Sequence, residues 1–430
     1  MKLRRTHFWL RSRRTEMEDQ PSRELARQWD GRDSLGRFRK QFSRPAGQIY
    51  LQGGSLGLCS QPAEQALLRA LAEWKGKAHE EAATTAALGE AIGCRIAGLL
   101  GASPEQIALV PSIAAGLQQL LSALYRRQFH RPHILLDAFS DAASLGAVQN
   151  HLELRGLDGQ RELVIARPNE SWLLDEEAIA AALSDPSVQM AFLPVVVRTT
   201  GQRLDVVRLA QIARQAGVLF GIDLSHSLGV IPHQLEEWEV DFAVWEHGLF
   251  AGGGPSAPAG LFLNRRHFAR LAQTQFWSSG EAEPNDGPES AASVLRIGAP
   301  PLLSLAPLDG SLRLLEEAGP ERLRSKSLDL TQFLRCTIEA QIPTLDLLTP
   351  REGDQRGGHL ALYHSAAEEI CRELQRHGVS ADHSEAWVIS LAPSPLYNTF
   401  VECWDAVQIL RRVLEAHAEA VCAEPPELVS

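Results

Sequence analysis

The chain has 430 residues, a net charge of −11 and a hydrophobic fraction of 44%. A chain of this length and composition can bury a large core and form one large domain with a smaller one. The acidic balance excludes nucleic acid as a main partner, because neutralising phosphates requires clustered Lys and Arg. No apolar run of about 18 residues is present, which argues against a membrane span.

The six cysteines are far apart and form no C-x-x-C pair, so the sequence predicts neither a zinc site nor a disulfide framework, and we expect a cytoplasmic protein. The first sixteen residues carry five arginines and one lysine with a single acid. This bias is compatible with a transit peptide, but no apolar segment accompanies it and Met17 follows directly. We interpret residues 1–16 as a basic extension or a misassigned start.

Short apolar runs alternate with amphipathic, helix-length segments from about residue 85 to residue 265. Runs such as 190–197 are apolar on both faces, as strands buried between helix layers must be. The pattern predicts an α/β fold with a mostly parallel sheet, in which ligands bind beyond the carboxyl ends of the strands. The predicted strands are 106–110, 133–136, 162–166, 188–197, 218–224, 241–244 and 260–263.

After about residue 305 the pattern changes to that of an α+β domain. A helical stretch over 312–334 is interrupted at Gly319-Pro320, and helices over 365–377 and 400–417 flank a strand at 387–391. We predict an N-terminal segment over 17–59 that packs with the small domain, a large domain over 60–305 and a small C-terminal domain over 306–430.

Several local patterns, in the same order and spacing, resemble kynureninase, a pyridoxal-phosphate (PLP) enzyme of the aminotransferase class V group. The resemblance implies a fold type I PLP-transferase with a seven-stranded sheet in its large domain. It also implies a homodimer whose active site lies in a cleft between the two domains. The patterns are IYLQGGSLG at 49–57, RTTG at 198–201, IDLSHSLG at 222–229, GGPSAPA at 253–259, PLLSL at 301–305, RGGH at 356–359 and PLYN at 395–398.

Leu249 occupies the position of the family's PLP-binding lysine, within the segment DFAVWEHGLFAGGGP at 241–255. A leucine side chain cannot form an imine. The chain has five lysines, and none lies between residues 78 and 325. The resemblance therefore predicts that PLP is not held covalently, while PLP or its amine form bound without a covalent bond stays open.

Three residues are candidates for proton transfer. Asp223 matches the acid beside the pyridine nitrogen of PLP, although an Asp here is also typical of a cap on a strand-to-helix turn. His226 matches a family residue near the cofactor, and His247 lies two residues before Leu249, where it is either catalytic or a loop histidine. A histidine with a near-neutral pKa suits proton transfer.

Four residues are candidates for substrate binding. Arg356 matches the family arginine that binds the substrate carboxylate, a task for which a planar guanidinium is well suited. Phe139 matches an aromatic ring stacked on the pyridine face, or else packs in the core. Trp277 and Tyr397 match further family positions at the site. We expect no metal site, because no histidine pairs with a carboxylate at ligand spacing.

The family's phosphate-binding positions have lost their polar side chains. Ile113 and Ala114 replace hydroxyl residues at the start of a helix, Gly248 replaces a tyrosine and Ala299 replaces a threonine. Backbone N–H groups at the helix N-terminus remain for a phosphate there, and the Ser112 hydroxyl is a further candidate. The losses concern imine and phosphate binding, whereas the acid, the ring and the arginine are kept.

Three functions fit this pattern. The first is a lysine-independent enzyme of specialised metabolism that acts on an aromatic or amino-acid-like carboxylate. The second is an enzyme that binds PLP or its amine form without a covalent bond and uses a histidine base. The third is a catalytically silent dimer that binds or regulates a partner.

Overall fold

The computed structural model describes residues 21–77, 81–126, 128, 130–271, 292, 295 and 301–423. Within these ranges, no helix is long and apolar enough to cross a membrane. The strands are β1 (Ile49–Tyr50), β2 (Ile107–Val110), β3 (His133–Asp137), β4 (Leu163–Ala166), β5 (Val188–Pro194), β6 (Leu219–Asp223), β7 (Phe242–Trp245), β8 (Ala259–Leu263), β9 (Asp346–Leu347), β10 (Leu360–Tyr363), β11 (Val379–Ser380), β12 (Asp382–Glu385) and β13 (Val388–Leu391).

The helices flank these strands and alternate with those of the central sheet. They are α1 (Arg23–Asp30), α2 (Gln61–Gly76), α3 (Glu81–Leu100), α4 (Ile113–Leu124), α5 (Ala142–Leu154), α6 (Glu176–Leu183), α7 (Val206–Ala216), α8 (Phe268–Leu271), α9 (Leu302–Ala318), α10 (Pro320–Gln341), α11 (Ala367–Arg376) and α12 (Phe400–Ala423).

The central sheet has seven strands in the order β2-β8-β7-β6-β5-β3-β4. Strands β3 to β7 pair in parallel, and β8 runs antiparallel to both of its neighbours. All seven predicted strands are present, and the predicted α/β fold with a mostly parallel seven-stranded sheet is confirmed.

Both faces of this sheet are covered, as the apolar runs predicted. Along β5, Ala191 and Leu193 join one core cluster, whereas Met190 and Phe192 join the cluster on the other face. This alternation follows from the period of two residues in a strand. Both faces of the sheet are therefore buried, and the polar side chains that line the cavity described below lie at or after the strand ends.

A smaller, four-stranded antiparallel sheet in the order β12-β13-β10-β9 lies in the C-terminal part and packs with α10, α11 and α12 around a second core. The predicted helix break is present, because Gly319 has φ +80° between α9 and α10 and Pro320 is the first residue of α10. Strand β1 pairs in parallel with β11. The domain division stays a prediction, and its boundary after residue 305 falls inside α9.

Candidate active site

A cavity of about 260 Å³ lies at the carboxyl ends of the central strands. Asp137 ends β3, Pro194 ends β5 and Asp223 ends β6, while Glu246 directly follows β7, and all four residues line the cavity. The N-terminus of α4 closes one end. This is the edge of the sheet at which the strand pattern predicted a ligand.

Asp223 provides a carboxyl group that is held in place by Ser225. Its Oδ1 accepts hydrogen bonds from the backbone N–H of Ser225 at 2.7 Å and from the Ser225 hydroxyl at 2.5 Å. Burial outweighs these hydrogen bonds and raises the pKa of Asp223 to about 7. The carboxyl group can therefore exist with or without its proton near neutral pH.

Further carboxyl groups line the same cavity. Burial raises the pKa of Asp137 and also the pKa of Glu246, which is less deeply buried. Asp141 caps α5 by accepting hydrogen bonds from the backbone of Ala143 and Ser144. Among the cavity-lining residues, Arg198 is the one with a permanent positive charge.

The apolar wall of the cavity is formed partly by aromatic residues. Phe139 lines it, and the Phe139 backbone N–H donates to Oδ1 of Asp137 at 2.8 Å. Phe192, Pro194 and Val196 complete this wall. A flat aromatic group fits such a surface. The structure thus places Phe139 at the cavity.

The α4 end of the cavity carries no hydroxyl at the two predicted positions. Ile113 and Ala114 line the cavity, and the Oγ of Ser112 accepts the hydrogen bond of the Ala115 N–H as the helix cap, at 3.2 Å. Leu249 also lines the cavity and is 6% exposed. A ligand at this end meets hydrocarbon side chains and the backbone of the first helical turn.

No lysine among the described residues lines this cavity. Lys40, Lys75 and Lys77 lie outside it, and Lys326 is buried in an ion pair with Asp33, with 2.7 Å between Nζ and Oδ2. The amine of Lys326 is thus already engaged in the second core.

A second cavity of about 230 Å³ adjoins the first. Arg198, His226, Glu246 and Leu249 line both cavities, so the two form one cleft. The far wall of the second cavity comes from the C-terminal part and the N-terminal segment. This wall consists of Gly54, Ser55, His359, Asp382, Ser384 and Ser390.

The two candidate histidines have different surroundings. His226 lines the cleft, and burial together with His359 and Arg198 lowers its pKa to about 3. His247 is fully buried, accepts the Trp245 Nε1–H at 2.7 Å and contacts the Pro258 carbonyl through Nδ1 at 2.6 Å. Both ring nitrogens of His247 are thus used within the fold, which favours the loop histidine of the two alternatives, and a catalytic role for His247 stays a prediction.

Arg356 does not reach the cleft. It is 1% exposed, and its guanidinium donates to the Thr331 hydroxyl, to Oε1 of Gln332 and to the carbonyls of Pro350 and Arg351. A buried guanidinium with its donors engaged in this way is a structural element. The predicted carboxylate clamp at Arg356 is not supported by this geometry.

The other predicted residues lie elsewhere. Tyr397 is buried against Phe42 and Tyr50 beside a separate, small apolar pocket, so it does not line the cleft. Gly248 accepts the backbone hydrogen bond of Gly57 at 2.8 Å and presents no side chain. Trp277 and Ala299 lie outside the described residues, as does the basic extension over residues 1–16.

Several cleft residues had no role assigned from the sequence, among them Asp137, Asp141 and Arg198. Asp137 and Arg198 directly follow the predicted strands 133–136 and 188–197, and Asp141 lies five residues after the first of these. The rule that ligands bind beyond strand ends would therefore have found them.

Comparison with known proteins gives consistent matches. Residues 323–410 match the family model of the kynureninase C-terminal domain. The chain is 37% identical over 408 residues to kynureninase of Geobacillus thermodenitrificans (strain NG80-2) and 36% identical over 408 residues to kynureninase of Bacillus anthracis. In both cases the match covers 92% of this chain and 95% of the relative.

Among solved structures, a cysteine desulfurase of Thermococcus onnurineus NA1 matches with a TM-score of 0.73 at 16% identity and covers 89% of this chain and 98% of its own. The cysteine desulfurase CsdA of Escherichia coli matches with a TM-score of 0.73 at 19% identity, covering 90% and 99%. Similarity at this level of identity establishes the fold.

Proposed function

The chain belongs to the kynureninase family, and on that basis we propose that it is a family member that cannot form the PLP internal aldimine. We propose further that it is a lysine-independent enzyme of specialised metabolism. Its cleft would act on a small aromatic or amino-acid-like carboxylate. The observation that carries the proposal is the Leu249 side chain in the wall of the cleft, with the amine of Lys326 held elsewhere.

The residues of the cleft fit PLP at one end only. The Asp223 carboxyl and the Phe139 ring suit a protonated pyridine. Where the two cavities meet, Leu249 offers no amine, and at the α4 end Ile113 and Ala114 offer no hydroxyl to a phosphate. Bound PLP would lack its covalent bond and most of its phosphate contacts, so tethered PLP does not fit this chain.

A doubly charged phosphate is also disfavoured by the charges of the cleft. Asp137, Asp141, Asp223 and Glu246 provide four carboxyl groups around the first cavity, against one guanidinium from Arg198. Part of this acidity is suppressed by burial, which raises the pKa of several of these groups. The α4 N-terminus alone must offset the remaining repulsion.

Asp223 supports the proposal of catalysis without tethered PLP. A general acid or base works best when its pKa lies near the working pH, and the pKa of Asp223 is about 7. The Ser225 groups hold Oδ1, so the second oxygen, Oδ2, faces no hydrogen-bond donor among the described residues. A proton can therefore be held or released at Oδ2, beside the aromatic wall.

The two alternatives have less support. A histidine base would have to be His226, whose pKa of about 3 makes it a weak base, because His247 is enclosed. A silent scaffold has no need of a buried carboxyl whose pKa is near 7. We therefore favour the enzyme.

A homodimer is part of the proposal, since the resemblance implies one. Leu68 and Trp74 on α2 and Leu303 on α9 are exposed apolar side chains, and these two helices pack against each other. Large exposed apolar side chains on neighbouring helices are typical of an interaction surface.

Borohydride reduction after incubation with PLP tests the central claim. We expect no stoichiometric pyridoxyl adduct at any one lysine by peptide mass spectrometry, with only partial labelling of the exposed Lys40, Lys75 and Lys77. A lysine-containing kynureninase treated in parallel is the positive control. A stoichiometric adduct at one lysine of this chain would overturn the proposal.

Ligand binding tests the second claim. Thermal-shift measurements with kynurenine, hydroxykynurenine, anthranilate and other aromatic acids should show stabilisation by at least one of these acids, because a ligand that binds only the folded state raises Tm. If none of them stabilises the protein, the scaffold alternative replaces the enzyme.

A further inference from the structure

We propose that Arg198 binds the carboxylate of the ligand and that His359 accepts a hydrogen bond from a donor on the adjacent carbon. The second cavity then holds the polar end of the ligand while the Phe139 wall holds its aromatic end. This inference rests on the proposed function, since it assigns the groups that recognise the substrate of that same cleft.

Arg198 lies at the junction of the two cavities and has capacity for an anion. Its Nη2 donates to Oε1 of Glu385 at 3.1 Å, in an ion pair whose side chains are 38% and 39% exposed. Exposed pairs of this kind contribute little, so a carboxylate can join or replace Glu385. The Nε of Arg198 is buried and has no hydrogen-bond partner within the described ranges.

A planar guanidinium with free donors forms two parallel hydrogen bonds to a carboxylate. Arg356 cannot do this, because its donors are engaged inside the protein. Arg198 therefore takes over the carboxylate contact that the sequence assigned to Arg356.

The Nδ1 atom of His359 can accept a hydrogen bond but has no donor among the described residues. It is 2% exposed, and its Nε2 lies 3.0 Å from the carbonyl oxygen of Arg198. A carbonyl only accepts, so Nε2 carries the ring proton, and burial lowers the pKa of His359 to about 4, which keeps the ring neutral. Nδ1 then has a lone pair, and it has no partner among the described residues.

A buried acceptor left unpaired is costly, so this position favours a ligand that supplies a donor. Two classes of acid do so, the 2-amino acids and the 2-hydroxy acids. Glu246 and Asp382 line the same cavity as His359 and add negative charge, and Ser55 donates a hydrogen bond to Asp382. Negative charge favours an ammonium group over a hydroxyl, which points to the 2-amino acid.

His226 completes this subsite. Its ring centroid lies 5.9 Å from that of His359, and its Nδ1 also has no partner in the described part of the chain. The three residues that carry these unpaired nitrogens, Arg198, His226 and His359, thus line one cavity.

Calorimetric titration with four probes that share one phenylethyl skeleton tests the proposal. Phenylalanine carries both the amine and the carboxylate. In 3-phenyllactate a hydroxyl replaces the amine, 3-phenylpropionate has no donor beside its carboxylate, and phenethylamine has no carboxylate. We expect the wild type to bind phenylalanine most tightly, 3-phenyllactate less tightly and 3-phenylpropionate most weakly of the three acids. If none of the three acids binds, the proposal is overturned.

The Arg198→Gln variant should bind all three acids about 10- to 100-fold more weakly, the loss of one charge-assisted contact, and bind phenethylamine unchanged. Arg208→Gln is the matched control, because Arg208 also forms an exposed ion pair, with a side chain that is 37% exposed, and lies on α7 away from the cleft. Equal affinities in the two variants would remove Arg198 from the subsite.

The His359→Phe variant should lose the preference for phenylalanine over 3-phenylpropionate and keep its affinity for the latter. His359→Gln retains an acceptor and should keep part of the preference, which separates recognition from misfolding of the Phe variant. An unchanged preference in both variants overturns the role of His359. A lysine adduct in the borohydride experiment would instead refute the proposed function itself, whatever these affinities are.

Discussion

The two ends of the cleft lie at the same edge of the central sheet, but one is lined by ionisable side chains and the other by hydrocarbon side chains. At the strand end, Asp223 and Glu246 follow parallel strands and place ionisable groups in the cavity wall. At the helix end, Ile113 and Ala114 place hydrocarbon in the same wall, and Leu249 adds hydrocarbon where the two cavities meet. The backbone framework is shared, since both ends lie at one edge of one sheet.

On the proposed function, the helix end differs from a phosphate-binding site in its side chains and not in its backbone. Helix α4 still begins at Ile113, and Ser112 still caps it. The backbone N–H groups of the first turn therefore keep their direction toward the cavity. If the difference between the ends is one of side chains alone, single substitutions should restore functions at the helix end and remove them at the strand end.

Restoring the amine should have the largest effect. In Leu249→Lys, we expect PLP and borohydride to give a stoichiometric adduct at residue 249, because this side chain lines both cavities and partial burial favours the neutral, nucleophilic amine. Peptide mass spectrometry locates the adduct. Leu249→Met, of similar volume but without an amine, is the control, and labelling equal to that control would show that position 249 does not face the ligand.

Removing the acid at the strand end should change how stability depends on pH. The pKa of Asp223 is raised in the fold to about 7, so its contribution is fully present below its unfolded pKa of about 4 and is lost as pH rises through 7. The shift of about three units corresponds to roughly 4 kcal/mol. Asp223→Asn should therefore gain stability relative to the wild type as the pH rises from 4 to 8.

Denaturant unfolding of both proteins across this pH range measures the difference. His226 and His359 act in the opposite direction, since burial lowers the pKa of each, but they are common to both proteins and cancel. Asp158→Asn is a control in which the pH dependence has the opposite sign. Backbone N–H groups lower the pKa of Asp158, so this variant should lose stability relative to the wild type as the pH rises. A difference that does not vary with pH would mean that Asp223 titrates normally.

The fold could be predicted well from the sequence because a strand that is buried on both faces appears as a run of consecutive apolar residues. The seven strands have continuous apolar runs, and the Gly319-Pro320 break depends on two adjacent residues. The same holds for Asp223, which lies in the cleft because it ends a strand. Local patterns of this kind need no knowledge of distant contacts.

The roles of Arg356 and His247 could not be predicted in this way. Whether Arg356 is free depends on Thr331 and Gln332, more than twenty residues away on α10, and whether His247 is free depends on the Pro258 carbonyl. A motif gives the residue type and not the hydrogen-bond partners supplied by the rest of the chain. Arg198 shows the converse, since it directly follows a predicted strand and lines both cavities, although the sequence motif assigned it no role.

Restoring one hydroxyl at the helix end should have the smallest effect. Ala114→Thr adds a donor at the start of α4, where the backbone N–H groups and the helix dipole already favour an anion. We expect affinity for inorganic phosphate and for PLP to rise about 5- to 10-fold, the usual net contribution of one ordinary hydrogen bond. Fluorescence titration measures both ligands. Ala114→Val has the same shape without the hydroxyl, so equal affinities in the Thr and Val variants would show that the helix end no longer faces a phosphate, and that its divergence from the strand end extends beyond the side chains.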